Sequence, residues 1–145
     1  MNYFTGYGID LYEHYVEDTF PGLLAFAKKY TPDVYENIKK WLDEIQPDEE
    51  KEQMVVMRWF DNYELNGYAG ISAYLASVIN EQEGTQFCSH DIDCDCIYIP
   101  RLYPWQYNER MRSLTESEAV GLIRKYVKQI TDLEYNITNI AMYEI

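Results

Sequence analysis

Basic residues are scarce in this chain. Its 12 Lys and Arg face 25 Asp and Glu across 145 residues, a formal net charge of -13. That balance excludes a broad basic face for DNA, RNA or an anionic membrane. No stretch approaches the roughly 20 consecutive apolar residues that a membrane helix needs. Met1 to Ile9 holds neither the basic region nor the apolar run of a signal peptide, so a cytoplasmic location is expected. On that expectation the sequon Asn136-Ile137-Thr138 is idle. Cysteine occurs only three times, an odd count that favours free thiols or a metal over a disulfide framework. There is no G-x-S-x-G, no phosphate-binding glycine loop and no H-E-x-x-H.

What is present points to a packed core. Hydrophobic residues make up 47% of the chain and aromatics 16%, which excludes disorder. The length suits a single domain over residues 1–145. Charge is uneven along it. Residues 1–50 carry 11 acids and 4 bases, residues 51–100 carry 8 and 2, and residues 101–145 carry 6 and 6. The excess of acid therefore lies entirely in the first 100 residues.

Periodicity and caps order the elements. Tyr3 to Ile9 reads as a strand. A helix is expected from Asp18 or Thr19 to Tyr30, with Pro21 in its first turn. A second opens at Thr31 as N-cap with Pro32 next. It carries the stripe Val34, Tyr35, Ile38, Trp41, Leu42 and Ile45, and stops at Pro47. Beyond Asp48-Glu49-Glu50, Met54, Val55, Arg58, Trp59 and Tyr63 share a helical face, although Met54 to Met57 also fits a strand. Tyr68 to Asn80 reads as a helix with Ile71, Tyr74, Leu75, Val78 and Ile79 inward. Thr85 to Pro100 reads as a hairpin and Arg101 to Leu114 as an irregular loop. Thr115 and Glu118 form a capping box that opens the last helix, and Tyr135 to Ile145 reads as a closing strand. The expected fold is α+β: a small antiparallel sheet of three to four strands with four to five helices packed on it.

The hairpin carries Cys88, His90, Cys94 and Cys96. A three-residue turn, Asp91 to Asp93, would set His90 opposite Cys94 and Cys88 opposite Cys96. All four would then share one face, with Phe87, Ile97 and Ile99 on the other. That face could hold zinc, or a Cys88–Cys96 disulfide under oxidation, although the spacing departs from paired zinc knuckles. Asp91, Asp93 and Asp95 open like a calcium loop, but Cys96 and Leu102 stand where glycine and glutamate belong, so they read as acidic turn residues.

No catalytic constellation emerges. His14 and His90 are the only imidazoles, and His14 reads as a surface residue in an acidic segment. Cys88 and His90, two apart on a strand, do not make a triad. The chain is read as not an enzyme and as having no cofactor, with zinc at the hairpin as the alternative.

Fifteen tyrosines, with Tyr7, Tyr12, Tyr15, Tyr98, Tyr103 and Tyr107 expected outside the core, supply rigid contact area. Acidic side chains at helical spacing can imitate a row of phosphates. In size, acidity, tyrosine content and lack of a catalytic motif the chain resembles small acidic phage and mobile-element proteins, the anti-CRISPR and anti-restriction DNA mimics among them. Asn37-Ile38-Lys39-Lys40-Trp41-Leu42-Asp43 is similar to a tryptophan-leucine-aspartate patch of anti-restriction proteins, whose acidic C-terminal motif is absent here. Gly70 to Glu83 followed by Tyr103-Pro104-Trp105 is similar to mobile-element proteins.

The resemblance implies a non-enzymatic inhibitor that binds a nucleic-acid-processing defence enzyme, a CRISPR effector nuclease above all, and blocks its basic channel. It implies a protein partner with a basic surface, no direct nucleic-acid binding and no membrane. The expected contact residues are Asp33, Glu36, Asp43, Glu44, Asp48, Glu49, Glu50, Glu52, Asp61, Glu64, Tyr103 and Trp105. The competing readings are a zinc-bearing structural or regulatory module on the hairpin and a minor hydrolase or small-molecule binder using Cys88, His90 and the Tyr103 to Tyr107 loop.

Overall fold

The computed structural model describes residues 2–14, 19–62, 67, 68, 70–90 and 95–144, with the backbone alone at 2–6, 50 and 138–144. The fold is α+β. Four strands, β1 (Asn2–Asp10), β2 (Cys88–His90), β3 (Cys96–Ile99) and β4 (Ile137–Glu144), form one antiparallel sheet in the order β2-β3-β1-β4. Six helices are described: α1 (Leu23–Tyr30), α2 (Pro32–Ile45), α3 (Glu49–Asp61), α4 (Ile71–Glu83), α5 (Glu109–Ser113) and α6 (Glu116–Val127). None is long and apolar enough to cross a membrane.

α4 packs against β2 and β3, and α6 against β1, β3 and α4. α1, α2 and α3 pack on one another, and α3 also meets α4. α4 is thus enclosed between the sheet and the outer helices. Ile71, Tyr74, Leu75, Val78 and Ile79 are all buried, as their spacing predicts. Tyr74 is fully buried and its ring meets Phe26, Phe60 and Tyr68 at centroid distances of 5.9, 4.5 and 5.3 Å. Each such pair adds about 0.5–1.5 kcal/mol beyond area burial.

Several local expectations change. Pro21 and Gly22 form a turn ahead of α1 rather than its first helical turn. The Gly22 N–H donates to the Ile130 carbonyl at 2.9 Å, which commits this segment to a tertiary contact. Asp18 lies outside the described residues. Thr31 precedes Pro32 but does not cap α2 with its hydroxyl. It donates instead to the Ala27 carbonyl and shares a 2.6 Å hydrogen bond with the Tyr74 hydroxyl. Ile45, expected on the α2 stripe, is 46% exposed, because the helix ends there and Gln46 turns left-handed at φ 51.

The segment Met54 to Met57 is helical. Its buried face is Val55, Val56, Trp59 and Phe60; Met54 is half-buried and Arg58 is exposed. Tyr63 lies outside the described residues. The Thr115–Glu118 capping box is present, and Val120, Ile123, Tyr126, Val127 and Ile130 are buried behind it. The loop expected over Arg101 to Leu114 contains a 3-10 turn at Pro104–Gln106 and the short α5.

Candidate functional site

The hairpin keeps the expected faces but not the expected register. His90 pairs with Cys96 and Cys88 with Tyr98, two residues beyond the sequence expectation. A shift of two preserves side-chain parity. Phe87 and Ile97 are buried and Ile99 packs on the same core, while Cys96 and Tyr98 are buried outside it.

The cause is Asp95. Its carbonyl accepts the Leu11 N–H at 2.8 Å, and its own N–H donates to Asp10 Oδ1 at 3.3 Å. Its carboxylate accepts the backbone N–H and the hydroxyl of Ser72 at the start of α4. Asp95 therefore joins the connection and β3 begins at Cys96. It is 2% exposed, a correction to its reading as an acidic turn residue. Burial raises its pKa to about 6 against the opposing Ser72 hydrogen bonds, with the charges of Asp61 and Asp10 adding to the rise.

Cys88 and Cys96 are not joined in a disulfide and do not stand opposite one another, so the pairing expected for one is absent. Burial pushes the Cys88 thiol up, which disfavours the thiolate a nucleophile needs. Cys94 lies outside the described residues, and among those described no group of three or more His, Cys, Asp or Glu is placed to hold a metal.

His14, expected at the surface, is half-buried. Its Nε2 lies 2.6 Å from the Glu134 carbonyl and its ring meets Tyr135 edge-on at 5.1 Å. Of the tyrosines expected outside the core, Tyr98 is buried, Tyr7 and Tyr107 are half-buried, and Tyr12 and Tyr103 are exposed. Tyr15 lies outside the described residues.

Tyr103 and Trp105 stack in parallel, centroids 4.8 Å apart and planes 2° from each other, while 65% and 76% exposed. The loop that carries them is fixed from within and from behind. The Tyr107 hydroxyl donates to the Pro100 carbonyl at 2.8 Å and accepts the Leu102 N–H at 2.9 Å. Gln86 donates to the Gln106 carbonyl, and Asn108 donates to Gln86 Oε1 and to the Gly84 carbonyl. Exposed Tyr and Trp on such a support have the character of interface anchors.

The expected acidic residues fall into two groups. Asp33, Glu36, Asp43 and Glu44 are exposed on α2. At 3.6 residues per turn they share one side of the helix, with Lys40 in the middle of it. Asp48, Glu49 and Glu52 lie at the start of α3, and Asp61 is exposed at its end. The Glu50 side chain and Glu64 lie outside the described residues. Among those described, no hydrogen bond, ion pair or ring contact joins the aromatic stack to these acids.

Glu49 and Glu52 line a cleft of about 230 Å³ walled by Phe20, Leu24 and Val56. Gln53 lines the same cleft, and its Oε1 is buried without a hydrogen-bond partner. The charged groups there are two carboxylates beside an apolar wall. Such a lining suits a cation on an aliphatic stem, as in lysine or arginine. Sequence reasoning found the two glutamates but not the cleft, whose walls come from α1, the segment before it and Val56 of α3.

Comparison with protein-family models, with curated proteins and with solved structures gives no significant match.

Proposed function

We propose that the chain is a non-enzymatic acidic binding protein. It docks on a partner with a basic nucleic-acid-binding surface and blocks that surface. A nucleic-acid-processing defence enzyme is the class that suits it, a CRISPR effector nuclease above all, since such enzymes hold nucleic acid in a positively charged channel. The observation that carries the reading is the cleft of Glu49 and Glu52 beside an apolar wall, which favours a basic side chain from a partner. The exposed acids of α2 would draw that partner in, and the Tyr103–Trp105 stack offers a second anchor.

The test is capture from host lysate on the immobilised chain, eluted by a salt gradient, with the double variant Glu49→Lys/Glu52→Lys alongside. The reading expects basic nucleic-acid enzymes to be retained, to leave as salt rises or when duplex DNA or guide RNA is added, and to bind the variant at least about tenfold less. Empty eluates overturn it, as does a partner that survives high salt or ignores the double variant.

A further inference from the structure

The largest cleft among those described is not the acidic one. It encloses about 360 Å³ between the end of the sheet and the start of α6. That places it inside the range of about 300–1,000 Å³ typical of small-molecule sites. The other two described clefts, at about 150 and 230 Å³, fall below it. Tyr7 and Ile99, paired across β1 and β3, form one side. Met111, Leu114 and Ala119 form the other. Tyr107, held by its two hydrogen bonds to the Pro100–Leu102 segment, closes the loop side. The walls are therefore apolar and aromatic and are fixed without a ligand.

The charges around this cleft run against the rest of the molecule. In a chain of net charge -13, its charged lining is Arg101 and Arg112 against the single Glu116. Among the described residues neither guanidinium has an ion-pair or hydrogen-bond partner. Two unpaired arginines beside an apolar, aromatic wall are a recognition set for a flat anion: the rings pack on the wall and the guanidinium donors meet the acid group.

We infer that the cleft between β3, the Arg101–Tyr107 loop and α6 is a binding site for a small aromatic anion. This site does not rest on the partner-binding reading: it borders the loop that carries the Tyr103–Trp105 stack, but its lining shares no residue with the Glu49–Glu52 cleft and its charge is opposite.

The test uses the full chain and two fluorescent probes with related aromatic bodies, anilinonaphthalene sulfonate and the uncharged phenylnaphthylamine. The sulfonate is expected to saturate at one site per chain and to bind at least about tenfold more tightly than the neutral probe, although the protein as a whole repels anions. The double variant Arg101→Gln/Arg112→Gln is expected to lose about tenfold for the sulfonate and little for the neutral probe. Both arginines are exposed, so the variant should melt with the native chain. Failure of the sulfonate to saturate one site overturns the inference, and so does equal affinity for the two probes or a double variant that binds the sulfonate unchanged.

Discussion

Asp95 and Ser72 are joined twice. One carboxylate oxygen of Asp95 accepts both the backbone N–H and the hydroxyl of Ser72, which is fully buried in the first turn of α4. The contact spans 23 residues of sequence and ties the hairpin connection to the helix that crosses the core. Gly70 makes room for it. It lies at φ 90, and a Cβ there would stand 2.8 Å from Asp95 Oδ1.

This contact fixes a pH dependence. Asp95 ionises near pH ~4 in an unfolded chain. In the fold its pKa is raised to about 6. Between those values the folded protein holds a proton that the unfolded chain has released. Stability from this group therefore falls as pH rises from about 4 to about 6, and stays lower above, by up to about 3 kcal/mol. Asp95→Asn keeps an acceptor for Ser72 and removes the titration. Measured by urea unfolding at about pH 4 and about pH 7.5, the variant's stability relative to the native chain is expected to improve by about 2–3 kcal/mol at the higher pH. An unchanged difference refutes the assignment. Asp95→Ala leaves two buried donors unpaired and is expected to cost about 2–3 kcal/mol even at the lower pH.

Asn80 acts as a short piece of strand edge. Its Nδ2 donates to the Phe87 carbonyl, and its Oδ1 accepts the Phe87 N–H and the Thr85 hydroxyl. Phe87 is buried, so its N–H and carbonyl lose their side-chain partner in Asn80→Ala. The expected cost is about 2–3 kcal/mol in thermal or urea unfolding. A cost below about 0.5 kcal/mol would show that the segment repacks.

Two glycines should respond with opposite signs. A Cβ on Gly22 would run into the backbone carbonyl of Gln129. Gly22→Ala is therefore expected to separate α1 from the end of α6 and lower stability by about 2 kcal/mol or more. Gly121 lies inside α6 with nothing within 4 Å of such a Cβ. Gly121→Ala is expected to raise stability by about 0.5–1 kcal/mol, because alanine loses less backbone freedom in a helix. Melting curves of the two single variants decide both.

The acidic side of α2 is interrupted by a base. If its acids steer a basic partner, Lys40→Glu should raise the salt concentration that releases the partner recovered by capture, and Glu36→Lys/Glu44→Lys should lower it. All three positions are exposed, so circular dichroism should be unchanged. Release at one salt concentration for every variant would assign these residues to solvation alone.

Local spacing alone determined much of the framework. Thr115 and Glu118 cap one helix across three residues, Pro32 and Pro47 bracket another, and the apolar stripe of α4 is buried residue for residue. These features depend on neighbours within one or two helical turns, where backbone geometry fixes who meets whom. The α+β class followed from the same patterns. Only tertiary structure decided the rest. Asp95 is bound by Ser72 and Asp10, distant in sequence, and the hairpin register lies two residues from the sequence expectation; no local rule contains those contacts. The same holds for the fixed Tyr103–Trp105 stack, for the burial of Tyr98, and for the separation of acids into a helix face and a cleft. Charge totals fix a sum, whereas a site needs positions, and packing between distant segments supplies them.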